Sequence, residues 1–489
     1  MENTKQNVFS NIIWRFAERC GAQVVSFIVS IVLARILAPE AYGTIALITV
    51  FTNILQVFVD SGLGNALIQK KDADDIDFST VFYTNLLSCL ILYLLVFLCA
   101  PIIANFYKDQ SLIALIRVLS LTIIISGVKN VQQAYVSRKL IFKKFFFATL
   151  AGTIGAAIIG IAMALKGFGV WALVAQQLFN LTVDTIVLWI TVKWRPKLKF
   201  SFKRLKGLFS YGWKLLVSSL IDTTYENVRQ LIIGKLYSSS DLAYYNRGKQ
   251  FPNIIVTNIN TSIDSVLLPT MSNEQENKER VRDMTRRAIK TSIYIMAPLM
   301  MGLAFTSNNV VKLLLTEKWM ECVPYLCIFC ITYMFYPIHT ANLNAIKSMG
   351  RSDLFLKMEI IKKIIGIILL LLTMRISPMA MALSLLVSGL ISQLINSWPN
   401  KKLLGYSYIE QIKDILPSII LALIMGVIVY LVGLIKLPTI ISFIIQVIVG
   451  MIVYILGSKI LKIDSFEYLF DLVKKIAKGK KKRANENAK

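Results

Sequence analysis

The stretch IIWRFAERCGAQVVSFIVSIVLARILAPEAYG, residues 12–43, decides the fold. Its apolar run is long enough to cross a bilayer core, which takes about 20 helical residues. Arg15, Glu18 and Arg19 nevertheless lie near one end of it. On insertion scales a charge at the centre of such a helix costs roughly 2.5–3.5 kcal/mol, so three facing hydrocarbon would cost on the order of 8–10 kcal/mol, as much as a whole domain's stability. The stretch reads as a span whose charged side faces something wetter than lipid. Arg15, Arg19, Gln23, Ser26 and Ser30 follow steps of 4, 4, 3 and 4, which at about 100° per residue keeps them in one stripe.

The same character extends along the chain. Of 489 residues, 56% are hydrophobic, and the mean hydropathy is +0.62, the composition of a polytopic membrane protein. Runs of spanning length fall near 11–37, 42–67, 79–104, 112–137, 145–166, 169–192, 207–236, 242–270, 288–314, 322–346, 355–374, 377–399, 414–435 and 438–460. The expected fold is therefore all-α with about fourteen transmembrane helices. No secretory leader is expected, because residues 1–10 run into the first helix without a small-residue cleavage site. The connections are short, which leaves no room for a folded soluble domain.

The net charge is +26, and its placement says why. The cations gather in alternate loops, such as KWRPKLKFSFKRLK at 193–206 and the tail KKIAKGKKKR, in an excess of roughly five to one. That is the bias of loops held on the cytoplasmic side, so both termini are expected there. Nucleic acid is not an expected partner; anionic headgroups explain the basic tail better.

The stripe is duplicated. In SYGWKLLVSSLIDTTYENVRQLIIG, residues 210–234, Lys214, Ser218, Asp222, Tyr225 and Arg229 repeat the same steps about 199 positions later. Thr49, Thr52, Gln56 and Asp60 on the second helix correspond to Gln250, Asn253, Thr257 and Thr261 on the eighth, and ARILAPEAYG corresponds to GKLYSSSDLAYY. VSRKLIFKK and IKSMGRSDLFLK, after helices four and ten, repeat at a spacing near 210. Six helices per copy, an even number, return the chain to the same side, so the repeat is parallel, about an axis along the membrane normal. The expected organisation is a first lobe at 1–200, a second at 201–405, two added helices at 406–465 and a basic tail at 466–489.

Four helices with matching polar faces, two from each copy, are expected to line a water-filled cavity at the repeat interface. The candidate substrate-binding residues are Arg15, Arg19, Gln23, Gln56, Lys214, Ser218, Asp222, Arg229, Arg247 and Asn253. Arg15, Arg19 and Lys214 lie toward the cytoplasmic ends of their helices, where an anionic headgroup would arrive, and Arg and Lys donate several charge-assisted hydrogen bonds to phosphate. Glu18, Asp60, Asp222 and Glu226 are the candidates for ion coupling, with counter-charge as the alternative role.

Other features read more plainly. Six scattered cysteines, CVPYLCIFC included, read as buried small hydrophobes, so no metal site is expected. His339 reads as a packed polar group, DADDID at 72–77 as a solvated loop, and Lys362 and Lys363 as cations reaching for the membrane surface. Pro101, Pro252, Pro298, Pro324 and Pro337 are expected to bend or interrupt helices. No phosphate-binding GxxxxGK[ST] loop is present in the sequence, which excludes nucleotide hydrolysis by that route.

ARILAPEAYGTIALI and DLAYYNRGKQFPNIIVTNINTSIDSVLLP together resemble the polysaccharide transporter (Wzx-like) branch of the multidrug/oligosaccharidyl-lipid/polysaccharide flippase superfamily, over about residues 5–465. The resemblance implies two six-helix lobes around a cavity lined by helices 1, 2, 7 and 8. It implies a flippase of the bacterial cytoplasmic (inner) membrane that moves polyprenyl-diphosphate-linked oligosaccharide to the outer leaflet by alternating access. No cofactor is expected beyond coupling to H+ or Na+. The expected partners are the lipid-linked glycan, membrane lipid, and polysaccharide polymerase or export proteins, with the monomer as the working unit. The sequence departs from the family at NVRQLIIG, where Arg229 and Gln230 stand in place of an acid, so no ion-coupling role is carried to that point.

Within the superfamily, a peptidoglycan-precursor flippase and a cation antiporter are the competing readings, and a basic mouth disfavours the second. A membrane glycosyltransferase or polymerase would need a catalytic carboxylate in a large soluble loop, for which the connections are too short.

Overall fold

The computed structural model describes residues 21–471 and 474, apart from 61, 62, 71, 140 and 142. Among these the chain is helical throughout, with no strand. It is a multi-pass membrane protein: ten of its helices are long and apolar enough to span a bilayer. Of the other four expected segments, three form continuous helices: α9 (Phe202–Leu236), α10 (Ser239–Asn273) and α15 (Ser352–Thr373). Each is long enough to span, but charged and polar residues interrupt its apolar run. The described part of the first segment, α1, is the apolar helix Gly21–Ile36.

Packing divides the chain into two units, residues 1–243 and 244–489. The first unit holds α1, α2 (Pro39–Asp60), α3 (Leu63–Gln69), α4 (Asp75–Tyr107), α5 (Leu112–Leu119), α6 (Leu121–Lys139), α7 (Lys143–Leu165), α8 (Val170–Thr191), α9 and the first turn of α10. Here α7 and α8 pair, α6 packs on α4 and α8, and α9 lies against α2, α3 and α4. The second unit continues with α11 (Lys278–Phe305), α12 (Ser307–Leu314), α13 (Val323–Met334), α14 (Tyr336–Ser348), α15, α16 (Pro378–Leu404), α17 (Tyr408–Gly433) and α18 (Thr439–Ile460). In it α11 packs on α13, α14 and α17, α17 on α18, and α15 on α16. The packing unit and the sequence repeat are different divisions of the chain, since α9 opens the second copy and packs in the first unit.

The distribution of polarity is that of a protein in lipid. Leu98, Ile190, Leu372 and Ile460 lie exposed on spanning helices, whereas Asn342, Asn400 and Gln411 are buried. The Asn342 carboxamide oxygen accepts hydrogen bonds from Asn400 at 2.7 Å and Gln411 at 3.1 Å. Without water in the hydrocarbon core, these amide N–H groups find their acceptors inside the protein.

The fourth and tenth segments are each broken in two, at Ser120 between α5 and α6 and at Phe335 between α13 and α14. Pro324 and Pro337 sit in the first turns of α13 and α14, where a missing N–H costs nothing. Pro101, Pro252 and Pro298 lie inside continuous helices, so the expectation of interruption fails at those three.

DADDID is more than a solvated loop. Asp74 caps α4, accepting from the backbone N–H groups of Ile76 and Asp77, and the Asp77 carboxylate accepts in return from the Asp74 N–H. Asp77 is fully buried and holds Lys70 at 2.7 Å, Lys197 pairs with Asp75 at 2.6 Å, and Arg204 reaches Asp74. The acids thus stabilise a helix N-terminus and tether the basic 193–206 connection to it. The hydrogen bond from Arg204, with those from the Asp77 and Ile76 backbone, holds the Asp74 carboxyl down at about 2. The stabilisation Asp74 contributes is therefore complete above about pH 4, the ordinary carboxyl range, and is lost as pH falls through about 2. The melting-temperature difference between wild type and Asp74→Asn should shrink over that window; a constant difference would refute the tether. Both partners are partly exposed, so the effect is small.

Candidate functional site

The connections that carry the family resemblance meet each other in the first unit. Gly43, at the end of ARILAPEAYG, lies against the backbone of Ser239: a Cβ there would stand 1.7 Å from the Ser239 carbonyl oxygen, which is why the position holds glycine. Glu40 accepts a hydrogen bond from the Ser240 hydroxyl at 2.7 Å, and the Ser238 hydroxyl donates to Asp241 at 2.6 Å. Nearby, the Tyr107 hydroxyl donates to the Leu231 carbonyl at 3.3 Å and Lys235 donates to that of Phe106. The start of α2, the end of α4 and the α9–α10 turn are thereby joined at the end of the helices where the sequence places few cations.

At about 1.5 Å per residue, α9 is roughly 52 Å long, more than a bilayer needs. Lys214, Ser218, Asp222 and Glu226 are exposed along it, as the 4-residue steps require for one face. The same stripe then turns inward: Arg229 is buried, 3% exposed, with its guanidinium 5.7 Å from the Tyr225 ring. Arg247 on α10 is also buried, donates to Gln250 at 2.6 Å, and lies 5.2 Å from the Trp319 ring. Both arginines were expected among the binding residues; each is buried beside an aromatic ring. Asn253, six residues beyond Arg247 along α10, is exposed, and Gln23 on α1 is half-buried. Arg15, Glu18 and Arg19 lie outside the described residues.

On α2, Gln56 donates to the Asp60 carboxylate at 3.1 Å. Asp60 also accepts from Asn130 of α6 at 3.2 Å, and Asn130 accepts from Asn85 of α4 at 3.2 Å. The second unit has a counterpart: Asp264 of α10 accepts from Asn344 of α14 at 2.9 Å. Beside it lies a cavity of about 290 Å³, lined also by Asn260, Thr261, Thr340 and Lys347. In each unit an acid is held by an asparagine some nine or ten residues beyond the break in the fourth or tenth segment. Selection of stripe residues missed these asparagines, although Asn130 and Asn344 recur at about 214 positions, close to the repeat spacing.

A second missed pair is Lys129 of α6 with Asp184 of α8, an ion pair with both side chains largely buried. The other Asp184 oxygen, Oδ1, has no hydrogen-bond partner. His339 is packed as expected, its Nδ1 3.0 Å from the Asn396 amide. Lys362 departs from expectation: it pairs with Glu359 at 2.6 Å, one turn back, instead of reaching outward. Among the described residues no cluster of His, Cys, Asp and Glu could hold a metal ion, and the described cysteines are free thiols.

The sequence family described as "Polysaccharide biosynthesis protein" matches residues 32–324. The chain is 26% identical over 306 residues to the teichuronic acid biosynthesis protein TuaB of Bacillus subtilis (strain 168), an alignment covering 62% of this chain and 63% of TuaB. The chain thus spans less than two thirds of that relative's length. It is 23% identical over 415 residues, 83% of each chain, to the lipopolysaccharide biosynthesis protein WzxC of Escherichia coli (strain K12). Among solved structures it is similar to the lipid II flippase MurJ in an inward closed conformation, with a TM-score of 0.76, 18% identity, and coverage of 93% of this chain and 99% of MurJ. At that identity the likeness shows a shared fold.

Proposed function

We propose, for a chain that belongs to the polysaccharide biosynthesis protein family, that it is a transporter flipping polyprenyl-diphosphate-linked oligosaccharide across the bacterial cytoplasmic membrane, by alternating access. The observation that carries the reading is the exposed polar face of α9, in which Lys214, Ser218, Asp222 and Glu226 line one side of a helix long enough to span the bilayer. Charges on such a face are stable only against water or a polar ligand.

Lys214, with Arg15 and Arg19, receives the diphosphate; Gln23, Gln56, Ser218, Asp222 and Asn253 replace water around the sugars. Arg229 and Arg247, being buried, pack their guanidinium groups on the rings of Tyr225 and Trp319. The carboxylates of Asp60, Asp222 and Glu226, with Glu18, couple the cycle to H+ or Na+, and the Asp60–Asn130 bond is one that protonation or a cation would rearrange. No bond is made or broken in the glycan. The polyprenyl tail stays in lipid, both termini face the cytoplasm, about fourteen passes form two repeated lobes and a trailing pair, and the monomer hands its cargo to polymerase or export proteins. A second reading, a flippase of peptidoglycan precursor, is favoured by the fold shared with MurJ.

The test is translocation of a diphosphate-linked glycan in vesicles. Removing a charge-assisted contact to phosphate is worth about 1.5–3 kcal/mol, so Lys214→Ala should slow transport by roughly 10- to 100-fold at unchanged protein abundance. An undiminished rate would remove Lys214 from the binding role.

A further inference from the structure

A groove on the second unit, apart from the polar faces just described, has the make-up of a lipid site. It lies between the start of α15 and the end of α16, encloses about 540 Å³, and has walls of Leu354, Met358, Ile361, Ile395 and Leu403. Lys357 and Lys402 stand at its rim, both exposed and neither in an ion pair with another described residue. Arg351 also lines it but is largely neutralised by Asp353, which it holds through two hydrogen bonds of 2.9 and 2.8 Å. Trp398, 73% exposed, lies one turn from Lys402 along α16. Tryptophan in that setting favours the headgroup level of a bilayer.

An apolar trough under two uncompensated cations, flanked by an interfacial indole, matches one molecule in charge and shape: acyl chains below, a phosphate above. Neutral zwitterionic lipid would leave the lysines without a net counter-charge. We infer that this groove binds a resident anionic phospholipid, its phosphate between Lys357 and Lys402 and a chain along Met358, Ile361 and Ile395. The site is independent of the transport reading, because neither lysine belongs to the polar faces of α2, α9 or α10.

The test reconstitutes the full-length protein in phosphatidylcholine bilayers containing increasing dibrominated phosphatidylglycerol or, in parallel, dibrominated phosphatidylcholine. The quenching of Trp398 is taken as the difference between wild type and Trp398→Phe, since the chain has 7 tryptophans. A surface cation near anionic lipid is worth about 1 kcal/mol, so the brominated anionic lipid should quench that component at an about fivefold or more lower mole fraction. The paired change Lys357→Gln and Lys402→Gln should abolish the preference, and Lys357→Arg with Lys402→Arg should keep it. Equal quenching by the two lipids in wild type, or a preference unchanged by the Gln pair, overturns the inference. Relief of the quenching by polyprenyl phosphate at a lower mole fraction than phosphatidylglycerol would assign the groove to an isoprenoid carrier and overturn it as well.

Discussion

Glu40→Cys and Ser240→Cys, joined by a short bifunctional thiol reagent in a background lacking the native cysteines, are expected to stop translocation almost completely. The Glu40 carboxylate and the Ser240 hydroxyl are 2.7 Å apart, and beside them Gly43 touches the Ser239 backbone with no space for a single added carbon. If the glycan-lipid leaves at the end of the helices opposite the basic loops, the start of α2 and the turn between α9 and α10 must separate to let it pass. A linker of fixed length forbids that motion, while the native hydrogen bond, worth only about 1 kcal/mol, permits it. Cleaving the linker should restore the rate, which separates arrest from damage. A linked protein that transports as fast as the unlinked one would show that the contact stays closed throughout the cycle.

The second large effect concerns stability. Lys129→Ala or Asp184→Ala alone should destabilise the protein by about 3–5 kcal/mol, because each leaves an opposite charge buried without its partner. Asp184 Oδ1 already lacks a hydrogen-bond partner, so the carboxylate has little else to hold it. The double change Lys129→Met with Asp184→Leu removes both charges and should recover most of the loss. Thermal unfolding in detergent checks both: additive destabilisation in the double variant would show that the two residues act separately.

Much of the fold was legible because lipid imposes simple rules. Spanning length, the bias of cations to alternate loops and the 4-4-3-4 spacing on α9 follow from bilayer thickness, charge and helical period, and the exposed run from Lys214 to Glu226 lies where that period places it. What periodicity cannot supply is the neighbour covering a given face. Arg229 shares the stripe of Lys214, yet it is buried. Nothing in the sequence joins Lys129 to Asp184, since the pairing of α6 with α8 is a tertiary fact. The break at Ser120 has no proline to announce it, and the buried Ser120 hydroxyl is left without a hydrogen-bond partner there. DADDID was misread for a related reason: its acids serve the N-terminus of α4 and a basic connection about 120 residues away.

The most direct measurement is the water accessibility of α9. Single cysteines at Lys214, Ser218, Asp222 and Glu226, and at the half-buried apolar positions Leu216 and Leu220 on the other side of the helix, are exposed to a charged, membrane-impermeant thiol reagent in sealed vesicles. The account predicts labelling at the four polar positions and protection at the two apolar ones, a pattern repeating with the turn of the helix. Protection at all six, or labelling without regard to face, would contradict a hydrated path along this helix.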